Sequence, residues 1–463
     1  MWRCLSFSLI LNACGGEADS RRKPSTDPTT DTGSHPENIL ILLVDDMGVD
    51  KFQPYGAYEA QPATPHLDRL SDRGVLFRNA YASPVCSPTR ASLLTGRYPS
   101  RLGVGRTIWE SSHIQLHDTQ MLLPEMVSHA PNGYATAGVG KWHLAGLNSN
   151  TSLAHPTANG FQTFQGTLGN LNDYYTWYLN DNGNSVYTEA YATTHQIDTA
   201  LSLVDSLPEP WLLYVSFNAP HAPLHLPPPS LHSDPDLSES AGDILLFKAV
   251  LEAVDTEIGR LFDHLEGPVM DRTHVFFLGD NGTASFAVAP PFNPGRSKDT
   301  LFEGGVHVPF VVAGPAVAEP GSESTAFVHV ADVFHTVAEI ADVDLDALLQ
   351  GTKTDGISLM PYLADPSTPS LRAFAFSEEF APLGAPPYTL RTRMVRDTTH
   401  KLIRADGTDQ TPTDALYGFE DDAIDEGPLL SLPYAAEDQA AYERLTAELD
   451  RLADDLVYDP RAP

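Results

Sequence analysis

Cys86 sits in the run Pro84-Val85-Cys86-Ser87-Pro88-Thr89-Arg90-Ala91-Ser92-Leu93-Leu94-Thr95-Gly96. Pro88 and Arg90 read there as the first turn of a helix, because proline is tolerated where amide donors are unpaired anyway. A cysteine at that place faces the positive end of a helix dipole, which suits anionic chemistry, although a small residue packed at a helix start is its ordinary meaning. Asp45-Asp46 and Asp280-Asn281 each follow an apolar run. In isolation, such residues read as solvated turn positions; together they could offer a hard cation its oxygen donors. Lys141 and His143 lie two apart on what reads as extended backbone, which would point both side chains the same way. His221 is held between Pro220 and Pro223, and Lys298 stands in the polar loop Arg296-Ser297-Lys298-Asp299-Thr300.

The elements that must position these residues follow from hydrophobic pattern. Ile39–Val44, Trp211–Phe217 and His274–Leu278 are nearly continuous apolar runs, as expected of strands buried on both faces of a parallel sheet, whose carboxyl edge hosts ligands. Thr64–Ser71 reads as a capped helix, Val75–Phe77 as a short strand and Leu122–His129 as a helix. Gly133–Val139 reads as a strand running into the turn that carries Lys141 and His143. Ile244–Leu265 shows an apolar stripe for packing on the sheet, and Val330–Ile340 a further helix. Asn148–Thr194 is polar and poorly periodic, an expected excursion over the active-site rim and a candidate for substrate contacts. After a turn at Asp355–Pro361, short strands are expected at Ala373–Phe376, Met394–Arg396, Lys401–Arg404 and Leu416–Tyr417, then a helix over Glu437–Leu456.

A chain of 463 residues suggests one large domain and a smaller one. Its formal charge of -33 describes a surface that repels nucleic acid and anionic headgroups. Only seven lysines exist, and Lys141 and Lys298 are two of them. The cysteines are Cys4, Cys14 and Cys86, the first two in an N-terminal leader, so the remaining chain has no disulfide to form and Cys86 needs a chemical reason. Residues 1–13 carry Arg3 and a short apolar run and read as a secretion signal. Residues 14–36 read as a flexible tether.

The Cys86 run, together with Gly138-Val139-Gly140-Lys141-Trp142-His143 some fifty residues on, resembles the signature pair of the type I sulfatases, with the likeness extending from Asn38 to about Leu430. The resemblance implies an α/β fold: an alkaline-phosphatase-like sandwich with a large mixed, mostly parallel central sheet over residues 37–369. A smaller C-terminal α+β domain with a short antiparallel sheet is implied over 370–463. It implies that Cys86 is oxidised by the formylglycine-generating enzyme to formylglycine, whose hydrated aldehyde is the nucleophile. Asp45, Asp46, Asp280, Asn281 and residue 86 would hold Ca2+, with Mg2+ as the other hard cation such a cage fits. Asp280 would help deprotonate the attacking hydroxyl, Arg90 neutralise the alkoxide, and Lys141 and His143 orient the geminal diol. His221 and Lys298 would sit at the leaving-group oxygen.

The implied reaction converts a sulfate monoester to an alcohol and inorganic sulfate. Its nearest rival is a formylglycine-dependent phosphodiesterase or phosphonate monoester hydrolase. A catalytically silent binding protein is the reading from another class, and intact Cys86, Lys141, His143, His221 and Lys298 argue against it. Thr89 stands where serine is frequent in the family and His307 where arginine is frequent, which leaves a packing or a substrate contact open at 307; His225 reads as a rim or solvent residue. The ending Leu11-Asn12-Ala13-Cys14 is similar to a bacterial lipoprotein signal, implying export to the periplasm or cell surface and a membrane contact only through a lipid on Cys14.

Overall fold

The apolar runs that precede the carboxylate pairs become neighbours in one sheet. The computed structural model describes residues 37–460 apart from Ala57, 420–426 and Pro428. The leader, Cys14 and the tether lie outside the described residues. Strands β1 (Asn38–Val44), β2 (Gly74–Tyr81), β3 (Ala135–Lys141), β4 (Thr163–Thr167), β5 (Trp177–Asp181), β6 (Asn184–Thr188), β7 (Trp211–Ser216), β8 (Thr273–Gly279), β9 (Phe310–Ala313) and β10 (Ser322–His329) form this sheet in the order β10-β2-β9-β8-β1-β7-β3-β4-β5-β6. From β8 through β1, β7 and β3 to β4 every pairing is parallel, and β9, β5 and β6 run antiparallel to their neighbours.

Alternation along β1 explains the layers. Ile39, Ile41 and Leu43 pack on one face with Leu93 and Leu94 of the Cys86–Thr95 helix and Val333 of the Asp332–Ile340 helix. Leu40, Leu42 and Val44 pack on the other with Val250, Val254 and Ile258 of the Asp243–Leu265 helix. Successive side chains of a strand point to opposite faces, so a continuous run of aliphatics needs helices on both sides.

Strands β11 (Ala375–Ala381), β12 (Leu390–Arg396), β13 (His400–Ala405) and β14 (Thr413–Gly418) form a second, antiparallel sheet. The Ala436–Asp455 helix covers it, burying Leu445, Leu449 and Leu452 against Val395, Leu402 and Leu416. Both sheets belong to one compact unit.

Two expectations are corrected. Asn148–Thr194 contains β4, β5 and β6 and the start of the Ala192–Ser206 helix, so it extends the main sheet. The Asp181-Asn182-Gly183-Asn184 turn, with Asn182 and Gly183 both at positive φ, closes the β5–β6 hairpin. Lys141 and His143 do not share an extended face: β3 ends at Lys141, and His143 takes a left-handed φ of 61°.

Candidate active site

Four parallel strands deliver the candidate residues to one sheet edge. β1 leads into Asp45 and Asp46, β8 into Asp280 and Asn281, β3 ends on Lys141, and β7 leads through Ser216 to Asn218 and His221. The Cys86–Thr95 helix begins at Cys86 itself, after an extended Val85 and with no side chain capping it. Thr89 closes the entry turn, its Oγ1 accepting from the Ser83 amide at 3.0 Å and lying within hydrogen-bond reach of the Ser83 and Val85 carbonyls. A hydroxyl is what that turn needs, and threonine supplies it as serine would.

One ligand atom each from Asp45, Asp46, Asp280 and Cys86 lie within 4.8 Å of one another, all buried. The Asp46 amide donates to Asp280 Oδ1 at 3.1 Å. Asn281 donates its Nδ2 to Asp46 Oδ1 at 2.9 Å, and its Oδ1 is buried without a hydrogen-bond partner. Three carboxylates and an orphaned amide oxygen are the donor set a hard divalent cation requires. Asp46, like His143, is left-handed, at φ 58°, a conformation costing a non-glycine residue about 1–3 kcal/mol and persisting where surroundings over-determine it. Gly282 is fixed by contact: a Cβ there would lie 1.8 Å from the Gly304 carbonyl oxygen, so only glycine lets the Asn281 turn pack on the Lys298 loop.

Cations interleave with this cage. Arg90, fully buried, donates from Nη2 to Asp280 Oδ2 at 2.7 Å and from Nη1 to the Lys141 carbonyl at 2.8 Å and to Ser216 Oγ. Lys141 Nζ donates to Asp45 and approaches Cys86 Sγ at 3.3 Å. Lys298 Nζ bonds Asp46 Oδ1 at 2.5 Å and lies 3.9 Å from the same sulfur. Cys86 Sγ donates to Asp45 Oδ1 at 3.3 Å.

Burial, then the Asp280 and Asp45 carboxylates, push the Cys86 thiol well above its usual range, so as a cysteine it stays a neutral thiol and a poor nucleophile. Burial pushes Asp45 up, but Lys141, His221, Arg90 and Lys298 together overturn this and hold it well below the ordinary carboxylate range. Asp280 is pushed up to about 6, by burial and then by Asp45, against Arg90 and Lys141. Burial, followed by Lys141 and Arg90, keeps His143 neutral, with Nδ1 unpartnered. His221 is also shifted down, chiefly by burial. Its Nδ1 sits 2.8 Å from the Ala222 carbonyl, which can only accept, so the proton is on Nδ1 and Nε2 is the open nitrogen. For Lys298, burial alone would lower the pKa; Asp46 and the other anions outweigh it and keep the ammonium charged.

Pattern reasoning missed Ser216 and Asn218. Ser216 ends the apolar run of β7 and receives Arg90; Asn218 accepts from Gln196 Nε2 at 2.8 Å and donates to Thr167 Oγ1 at 3.0 Å, tying β7 to β4. A polar residue closing a buried strand was the available signal. His225 is a packing residue: it stacks on Tyr174 at 4.1 Å, and its ring nitrogens meet the Tyr191 hydroxyl and the Pro223 carbonyl. His307 is likewise packing, buried and stacked on Tyr81 at 5.4 Å, with Nε2 on the Arg78 carbonyl at 2.8 Å.

Comparison with known proteins bears on this geometry. The family model for Sulfatase matches residues 37–343. Human N-acetylgalactosamine-6-sulfatase is 33% identical over 364 residues, covering 71% of this chain and 66% of that one. The Escherichia coli K12 sulfatase YdeN is 30% identical over 369 residues, covering 74% and 63%. The chain thus spans about two thirds of the length of these relatives. Among solved structures, Ps i-CgsB in complex with k-i-k-neocarrahexaose aligns over 92% of this chain and 94% of that one, at TM-score 0.77 and 23% identity. The phosphonate monoester hydrolase of Agrobacterium radiobacter aligns over 91% and 96%, at TM-score 0.68 and 19% identity. Both share the alkaline-phosphatase-like fold described above.

Proposed function

The chain belongs to the sulfatase family, and from that premise we propose that it hydrolyses sulfate monoesters of carbohydrates to an alcohol and inorganic sulfate, using residue 86 after its oxidation to formylglycine. The observation that carries this reading is the surrounding of Cys86 Sγ: Asp45 at 3.3 Å, Lys141 at 3.3 Å and Lys298 at 3.9 Å, within a three-carboxylate cage. A thiol held neutral gains nothing from these cations as a thiolate would, whereas a sulfate ester brought to residue 86 approaches Lys298 on its open side while Lys141 and Arg90 lend positive charge from beneath. A carbohydrate substrate is supported by the human relative, named for a sulfated amino sugar.

When present, formylglycine supplies a hydroxyl nucleophile of a hydrated aldehyde, and a divalent cation, Ca2+ or Mg2+, held by Asp45, Asp46, Asp280 and Asn281, supplies charge against the sulfate oxygens. The protein's own groups do the rest. Lys141 orients residue 86 from the buried side, and Arg90 holds Asp280 in place while adding positive charge there. Neutral His143 accepts a proton. Lys298, protonated and with its side chain 13% exposed, donates at the ester oxygen that departs; His221 presents Nε2 from a ring fixed by the Ala222 carbonyl.

Purified protein bearing formylglycine should release sulfate from a carbohydrate sulfate monoester faster than it cleaves a phenyl phosphonate monoester, and chelation should abolish the release until Ca2+ or Mg2+ is returned. Faster cleavage of the phosphonate would favour the rival hydrolase; binding without turnover of either would favour a silent binding protein. We propose further that the protein is exported and anchored through Cys14, on the strength of the Leu11-Asn12-Ala13-Cys14 ending. Unchanged membrane association of Cys14→Ser would refute the anchor.

A further inference from the structure

We infer that Trp109 forms a second sugar-binding position next to the catalytic residues, one that takes an uncharged sugar unit of a sparsely sulfated oligosaccharide; the inference rests on the sulfatase reading. Trp109 is 69% exposed, whereas Trp142, Trp177 and Trp211 are at most 5% exposed. An indole in water forgoes the large gain of burial that those three tryptophans make, and a flat exposed indole is a surface on which a sugar ring can stack.

Its position is fixed from both sides. The amide of fully buried Ile108 donates to Ser87 Oγ at 2.9 Å, one residue from Cys86. On the other side, the Glu110 carbonyl accepts from the Leu147 amide at 2.7 Å, four residues after His143, and Glu110 Cβ reaches the Gly169 turn that follows β4. The Trp109 carbonyl itself accepts from the Ser112 amide at 2.9 Å. Chain geometry therefore holds the Trp109 Cα within roughly 10 Å of Ser87. An exposed indole on a loop hydrogen-bonded to the residue after Cys86 suits a sugar ring linked to the one whose sulfate is being removed. Leu147 and Ile114 are also apolar and exposed, at 44% and 42%, and their segments meet where the Gly146 amide donates to the Ile114 carbonyl at 2.9 Å.

Charge narrows the ligand. Glu110, adjacent to Trp109, is exposed and acidic on a chain of formal charge -33, and would repel a second sulfate. An uncharged unit is therefore taken as the occupant of Trp109.

The test compares N-acetylgalactosamine 6-sulfate with a tetrasaccharide carrying the same single ester at its non-reducing end. Trp109→Ala should lower kcat/KM on the tetrasaccharide by about ten-fold, through KM, as loss of one aromatic stacking partner does. The monosaccharide should stay within about two-fold, and Trp109→Phe should restore much of the loss. Equal losses on both substrates, or none on either, overturn the inference and leave the sulfatase reading standing. A binding arm stands apart from turnover: in Cys86→Ala protein, the tetrasaccharide should shield from acrylamide the fluorescence component that Trp109→Ala removes. No shielding contradicts the inference, even if wild-type protein hydrolyses neither sugar and the sulfatase reading itself fails.

Discussion

At the scale of residues, the two sides of the site differ in exposure. Arg90 and Lys141 are sealed beneath residue 86, while Lys298 and His221 are partly open. Under the proposed reaction a group at the open side would meet the departing alkoxide, and it matters most when that oxygen is a strong base. Lys298→Ala should therefore lower kcat/KM about 100-fold to 10,000-fold on a sugar sulfate and far less on nitrophenyl sulfate. Arg90→Ala, which disturbs the nucleophile's side, should affect both alike. Equal losses across leaving groups in Lys298→Ala would move Lys298 to sulfate binding. The residue types were legible because the Cys86 run and the Lys141-Trp142-His143 stretch are themselves specific. The left-handed backbone at Asp46 and His143 was not, since nothing in a short polar sequence says that neighbouring strands will over-determine a strained φ.

At the scale of elements, the Lys298 loop is tied to the small sheet through Glu303, which is buried with Tyr81, Arg396 of β12 and Lys401 of β13 around its carboxylate. Burial alone would raise its pKa, but Arg396 and Lys401 reverse this and lower it to about 2. A carboxylate depressed in the folded state contributes stability that is complete above its unfolded value near 4.3 and is lost as pH falls toward 2. Glu303→Gln removes the buried carboxylate that Arg396 and Lys401 both face, and should destabilise the protein by about 3–5 kcal/mol at neutral pH. Thermal melts should also show the variant losing less stability than wild type between pH 5 and 2.5; a parallel loss would place the acid sensitivity elsewhere. His307 adds a loss at higher pH: burial lowers it to about 4, so the unfolded chain takes up a proton that the folded one refuses as pH drops through 6.5. The central strands were readable as aliphatic runs, whereas β5 and β6 were not. β6 is the sheet's edge strand and β5 the strand beside it, their pattern is half-polar, and Asn182-Gly183 was the one firm hairpin signal among them.

At the scale of the molecule, an anionic substrate must approach a surface of formal charge -33 to reach a site where Arg90, Lys141 and Lys298 converge. The repulsion acts at long range and the attraction at contact, so salt should screen the first more than the second. Between about 10 and 150 mM salt the Debye length falls from about 30 to about 8 Å. Over that range kcat/KM for a sulfated sugar should rise a few-fold; a steady fall would mean that local positive charge already steers the encounter. Among the described residues no helix is long and apolar enough to cross a membrane.

The central claim is that chemistry starts at residue 86 in its oxidised form. Peptide mass spectrometry on sulfate-releasing protein from its native host addresses this directly. The peptide containing Pro84–Arg90 should carry formylglycine at position 86; active protein in which that position is only unmodified cysteine would contradict the mechanism.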